Sequence, residues 1–195
     1  MKTSFKENIS KEEINNLPIA VFKGTIVIID SVRVLKKYLP ELMLENIWGI
    51  DTETKPCFKK GVQNQNKTAL IQLCGNRKAF LFRVNKIGIP DVLVKIFSDE
   101  KILKVGLALK DDIAGLENIR KFKAQSFIDL QKYVNDFGIE ANGLRSLSAI
   151  VLGIRISKTQ QLSNWEADVL DEKQILYAAT DAWAPRQIYL KLQKH

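Results

Sequence analysis

Residues 46–58 read NIWGIDTETKPCF, and the apolar residues 47–50 run directly into an acid–threonine–acid triplet. If this stretch is a strand, Asp51 and Glu53 point to one face and Thr52 to the other, because side chains alternate along a strand. Two carboxylates that close together repel each other and resist removal from water. The stretch therefore predicts a buried strand that ends in a pair of acids, and those acids need a positive partner.

Size and composition favour one soluble domain. The chain has 195 residues, of which 46% are apolar and 27% charged, as in an ordinary globular protein with a full core. No apolar run reaches membrane-spanning length, and residues 1–20 lack the apolar core of a signal peptide. We therefore expect a cytoplasmic protein with no membrane contact, in which Cys57 and Cys74 are reduced thiols.

The charge balance and the histidine count narrow the functional classes. The formal net charge of +8 favours an acidic partner such as nucleic acid, although a protein can also be basic without binding one. The single histidine, His195, is the last residue, which excludes histidine-based metal sites and Ser-His-Asp chemistry. Catalysis must therefore use carboxylates, tyrosine, lysine or cysteine.

The hydrophobic pattern predicts a polar arm over residues 1–20 and a single domain over residues 21–195. A strand at 21–30 and a helix at 31–42, capped by Ser31, come first. Strands at 46–54, 68–75 and 78–84 then form an antiparallel set, with a polar loop over 55–67. Strands and helices alternate from residue 90 onward, ending in a long helix that starts near residue 171. This order predicts a mixed α/β sheet with helices on both faces.

Two further segments carry acids that could meet the first pair. In QILYAATDAWA, residues 174–184, Tyr177 and Asp181 are four residues apart and so lie on one helical face. The alternative is a solvated helix carboxylate beside a core tyrosine. At a strand-to-helix junction, Asp111 or Asp112 could serve a site or cap the helix.

Taken in order, these motifs resemble the DEDD exonuclease superfamily in its tyrosine-bearing branch, to which ribonuclease D and the Werner-type exonuclease domains belong. The resemblance covers residues 22–190, and each motif is weak alone but specific in this order. The stretches that carry it are WGIDTETKP, TALIQLC, KVGLALKDDIAGL, FIDLQKY and residues 143–184. It implies a ribonuclease H-like fold, with a mixed five-stranded sheet whose first three strands are antiparallel.

The resemblance also implies which residues act. It assigns the catalytic and metal-binding acids to Asp51, Glu53, Asp112 and Asp181, and the catalytic tyrosine to Tyr177. Asp112 is chosen over Asp111 because the family acid is followed by an apolar residue and later a leucine, as here. Asp111 then remains as a helix cap. The sister branch places a histidine at the position of Leu176, which leaves the tyrosine as the base.

Hard oxygen ligands select Mg²⁺ or Mn²⁺, and two such ions would cancel the clustered negative charge. In the arrangement that the resemblance implies, Asp51 bridges both ions, while Glu53 and Asp181 complete the site of the ion that carries the attacking water. Asp112 holds the second ion, largely through water. Tyr177 orients the nucleophile and helps to deprotonate it.

The implied substrate is the 3′ end of DNA or RNA, single-stranded or recessed in a duplex, from which nucleoside 5′-monophosphates are released. A protein partner could supply specificity. The candidate substrate-binding residues are Thr52, Lys59, Lys60, Lys158 and Trp165. Packing is the alternative for Thr52 and Trp165, and solubility is the alternative for the loop lysines. Two rival functions are a catalytically silent nucleic-acid-binding module and a hydrolase of small phosphates.

Overall fold

The computed structural model describes residues 5–54 and 68–195, and the fold within them is a six-stranded mixed sheet with the order β1-β4-β3-β2-β5-β6. The strands are β1 (Thr25–Ile29), β2 (Ile47–Thr54), β3 (Thr68–Cys74), β4 (Lys78–Arg83), β5 (Leu103–Gly106) and β6 (Phe127–Asp129). Antiparallel pairing joins β2, β3 and β4, and parallel pairing joins β2 to β5 and β5 to β6. The predicted fold class is confirmed. The predicted strand count of five is too low, because β1 pairs in parallel with β4 and extends the sheet at that edge.

Eight α-helices in the described ranges cover the sheet. They are α1 (Lys11–Asn15), α2 (Val32–Leu42), α3 (Val84–Ile87), α4 (Asp91–Ser98), α5 (Leu109–Ile119), α6 (Leu130–Tyr133), α7 (Leu144–Leu147) and α8 (Glu172–Leu192). A 3-10 turn, Val134–Phe137, follows α6, and a π-helical turn, Ser148–Leu152, follows α7. The predicted cap of α2 is confirmed, since the Ser31 side chain accepts from the Val34 amide. None of the described helices is both long and apolar enough to span a bilayer.

Helix α8 packs on the face of the sheet formed by β2, β3 and β4. Its small residues Ala178, Ala179 and Ala182 are fully buried there and allow the helix to approach closely. The approach is closest at Gly49 of β2, where an added Cβ atom would lie 1.8 Å from the Ala182 carbonyl oxygen. Backbone therefore contacts backbone one residue away from Asp181.

Polar contacts fix the position of α8 along the sheet. The Arg186 Nε donates to the Ile47 carbonyl oxygen at 2.9 Å, at the beginning of β2. The Thr180 hydroxyl accepts from the Phe22 amide at 3.1 Å. These contacts lie on either side of Asp181 in the sequence, so the helix can neither slide nor rotate without breaking one of them.

The N-terminal segment before β1 is packed against the domain. Ile14 of α1 is buried, and the Arg155 amide donates to the Pro18 carbonyl oxygen at 2.9 Å. The Arg145 guanidinium also donates to the Asn15 side chain at 2.6 Å. The polar arm predicted over residues 1–20 is therefore in contact with the domain within the described residues 5–20.

The contact between Gly49 and Ala182 predicts a specific loss of stability. Gly49→Ala should lower the free energy of unfolding by about 3 kcal/mol, because α8 must move away from β2 to admit the methyl group. Gly115→Ala is the control, since its added methyl would meet only Thr68 Oγ1 at 3.5 Å and alanine favours the helix. Urea denaturation measures both variants, and an equal effect of the two would contradict the close packing described here.

Candidate active site

Three carboxylates from two elements meet above the sheet. Asp51 and Glu53 project from the end of β2, and Asp181 projects from α8. One carboxylate oxygen from each lies within 4.8 Å of the others, close enough to share a metal ion. The predicted meeting of these three acids is thus observed, and an all-oxygen set of this kind suits Mg²⁺ or Mn²⁺.

The three acids line a cavity of about 340 Å³ that opens between α8 and the segments after β6 and α7. The remaining side chains of its lining are mainly polar or aliphatic. They include Thr52, Leu107, Gln131, Asn142, Arg145, Lys158, Gln161 and Tyr177. Lys158 is exposed at the cavity, and its positive charge lowers the pKa of Asp181. The site therefore combines a carboxylate cluster with nearby cationic and amide groups.

Tyr177 lies one helical turn before Asp181, and the two side chains are close enough for each to influence the pKa of the other. The tyrosine ring packs against Trp165, with centroids 6.1 Å apart and planes inclined by 34°. Trp165 is 0% exposed, so it lies in the core and not on a surface that a substrate could contact. Packing, the alternative to substrate binding for this residue, is therefore what the structure shows. The place of Trp165 in the site is to support the tyrosine ring.

Burial and mutual repulsion change how the acids titrate. Burial, followed by the charges of Asp181 and Asp112, raises the pKa of Glu53 to about 8. Burial raises the pKa of Asp181 to about 7, against the opposing effects of the nearby Tyr177 hydroxyl and the positive charge of Lys158. Burial and the three neighbouring acids raise the pKa of Asp51 well above its ordinary value. The cluster therefore resists full ionisation at neutral pH unless a cation compensates its charge.

Asp112 lies beside this cluster but outside the group of three. It sits in the first turn of α5, and its carboxylate accepts from the Thr52 hydroxyl at 2.5 Å. Its charge nevertheless raises the pKa of both Asp51 and Glu53. Thr52 therefore lies at the site and contacts a site carboxylate within the protein, while its contact with substrate stays a prediction.

Asp129, at the end of β6, was not singled out in the sequence, yet it anchors the helix that carries Asp112. Its two carboxylate oxygens accept from the amides of Ala108 and Leu109 at 2.9 and 3.2 Å. Ala108 has a left-handed backbone (φ 55°) at the start of α5, and this double acceptor holds it there. The prediction that Asp111 caps this helix is wrong, because no side chain of the helix start itself makes a capping bond.

The cavity lining includes one of the predicted lysines and several polar residues that were not predicted. Lys158 is at the cavity as predicted, whereas Lys59 and Lys60 lie outside the described residues. Polar residues that the sequence did not reveal also line the cavity, and they are Gln131, Asn142, Arg145 and Gln161. These four come from separate segments with no motif of their own, so only the folded chain brings them together.

Comparisons with known proteins agree with this geometry. The profile of a family described as 3′-5′ exonuclease matches residues 26–195. The mouse (Mus musculus) bifunctional 3′-5′ exonuclease/ATP-dependent helicase WRN is 32% identical over 188 residues, which are 91% of this chain. This chain spans only 13% of the length of that relative.

Solved structures share the fold at lower identity. The Aedes aegypti Nibbler EXO domain superimposes with a TM-score of 0.78 and 23% identity, covering 90% of this chain and 91% of that one. Trypanosoma brucei RNase D in complex with RNA U12 has a TM-score of 0.77 and 20% identity, covering 94% and 65%. At these identities the likeness establishes the fold alone.

The contrast between Asp129 and Asp111 can be measured. Asp129→Ala should lower the free energy of unfolding by about 2 kcal/mol, because it leaves the amides at the start of α5 without an acceptor. Asp111→Ala should change the free energy of unfolding by less than about 0.5 kcal/mol, because Asp111 is exposed and makes no capping bond. Chemical denaturation measures the free energy of unfolding of both variants. A larger loss of stability for Asp111→Ala than for Asp129→Ala would indicate that Asp111 caps the helix after all.

Proposed function

Because this chain belongs to the 3′-5′ exonuclease family, we propose that it hydrolyses the terminal phosphodiester bond at the 3′ end of a polynucleotide and releases nucleoside 5′-monophosphates. The observation that carries the proposal is the cluster of Asp51, Glu53 and Asp181, with Tyr177 beside Asp181 in the same cavity lining.

The donor set fits divalent cations. Asp51, Glu53 and Asp181 would hold one ion, and Asp112, kept nearby by Thr52, would serve a second. Bound Mg²⁺ or Mn²⁺ would neutralise the phosphate and make a water molecule acidic enough to attack phosphorus. The raised pKa values of the acids support this assignment, because carboxylates gathered without a cation would remain partly protonated.

Tyr177 has a role that follows from its protonation. Burial and the neighbouring acids raise the pKa of its hydroxyl above the ordinary value of 10, so the phenol keeps its proton at neutral pH. The protonated phenol lies beside Asp181, and its oxygen would accept a hydrogen bond from the attacking water molecule. We therefore assign Tyr177 to holding and orienting the nucleophilic water, with Trp165 fixing the ring.

Positive charge supports a polyanionic substrate. Lys158 is exposed at the cavity, and the chain carries a net charge of +8. Arg145 belongs to the same cavity lining, and its guanidinium donates to the Asn15 side chain. Both residues would contact phosphate oxygens of the substrate. The substrate is DNA or RNA, and paired oligonucleotides of the two kinds distinguish them. We further propose a cytoplasmic location and a protein partner that supplies specificity.

Substitutions at the site should abolish or slow catalysis without unfolding the protein. Asp51→Asn should abolish turnover, because it removes the charge of the residue at the centre of the cluster. Tyr177→Phe should slow cleavage by roughly 100-fold or more, the range expected when a positioned proton donor is lost. The measurement is the shortening of 5′-labelled DNA and RNA oligonucleotides with MnCl₂, and Asp111→Asn is the matched control because that acid lies outside the cluster.

Three outcomes would contradict this assignment. Full activity of Tyr177→Phe would remove the tyrosine from the mechanism. Binding of oligonucleotides without shortening in Mg²⁺ or Mn²⁺ would favour a silent binding module. Turnover of small phosphate esters that is insensitive to salt would favour a small-molecule hydrolase, because a polynucleotide enzyme weakens steeply as salt rises.

A further inference from the structure

The middle of β3 contains a buried amide that has no partner. Gln72 is 0% exposed, and neither its Oε1 nor its Nε2 makes a hydrogen bond among the described residues. Every residue of this strand is buried, and its other central positions are apolar. An orphaned buried polar atom is destabilising, so a leucine at this position would serve the fold better.

The register of the sheet places this amide next to the site. Gln72 is the direct cross-strand partner of Asp51 in the antiparallel β2–β3 ladder. Side chains opposite each other in such a ladder share one face, with Cβ atoms about 4.5–5.5 Å apart. On its other side Gln72 pairs with Leu81, which packs with Ala178 and Trp165. The amide is thus enclosed between the sheet and α8, beside Asp51 and away from solvent.

We infer that Gln72 is a positioning residue for Asp51, whose carboxylate receives the Gln72 side-chain N–H when the carboxylate is bound to a divalent cation. This inference rests on the proposed function. Carboxylates that bind metals are themselves hydrogen-bonded by a surrounding layer of side chains, which fixes the direction of the ligand oxygen.

The residue type suits this position. A lysine or arginine beside Asp51 would add a positive charge that competes with the cation for the carboxylate. A neutral amide donates to the carboxylate without that competition, and it fits within an apolar strand. Thr52, the next residue of β2, is likewise a neutral donor to a site carboxylate, that of Asp112.

The experiment compares Gln72→Leu and Gln72→Met with wild type in two measurements. Thermal unfolding of the metal-free protein should show equal or higher stability for the variants, because the orphaned amide is removed. Titration calorimetry with MnCl₂ should show an affinity lower by about 10-fold or more, the effect typical of losing a group that orients a metal ligand. A residue with only a structural role would not change Mn²⁺ affinity while leaving metal-free stability intact.

Ser148→Ala is the matched control. Ser148 is also 0% exposed with an unpartnered hydroxyl, but it lies in the π-helical turn and does not line the cavity. Its replacement should leave Mn²⁺ affinity unchanged. Binding of Mn²⁺ by both Gln72 variants within twofold of wild type would overturn the inference alone, whereas a wild-type protein that binds no Mn²⁺ would overturn the proposed function with it.

Discussion

The close contact of α8 with β2 is the constraint on which the site depends. Because Gly49 has no side chain, the helix backbone can lie directly against the strand, and Asp181 comes within ligand distance of Asp51 and Glu53. The contact brings like charges together, so packing opposes electrostatics at this point of the molecule. The raised pKa values of the acids are the sign of that opposition.

Side chains around the cluster keep the acids in place. Thr52 holds Asp112, Asp129 anchors the start of the helix that carries it, and the Tyr177 hydroxyl lies beside Asp181. Gln72 belongs to the same surroundings through its position opposite Asp51. The fold thus fixes the directions of the carboxylates while leaving their charge uncompensated, which is the arrangement that a divalent cation completes.

Much of this could be predicted from the sequence because it depends on local periodicity. Strand alternation places Asp51 and Glu53 on one face, and helical spacing places Tyr177 beside Asp181. The resemblance to a known family then brings these distant motifs together. What the sequence could not show depends on tertiary contacts: Asp129 reaches a helix start 20 residues away, and Asp111 next to that start does not cap it.

Burial was equally hard to infer for single residues. Trp165 follows a polar loop and could have faced a substrate, yet it packs beneath Tyr177. Gln72 looked like one polar residue in an apolar strand, and its importance emerged only from the strand register. The extra strand β1 was visible as a β-rich run, but its pairing with β4 required the folded sheet.

Anomalous diffraction at the manganese edge, from crystals soaked in MnCl₂, tests the central claim most directly. The account predicts a manganese peak bound by oxygens of Asp51, Glu53 and Asp181, with the Asp112 carboxylate on the same side of the cavity. Well-ordered carboxylates in the observed positions with no manganese among them would contradict it.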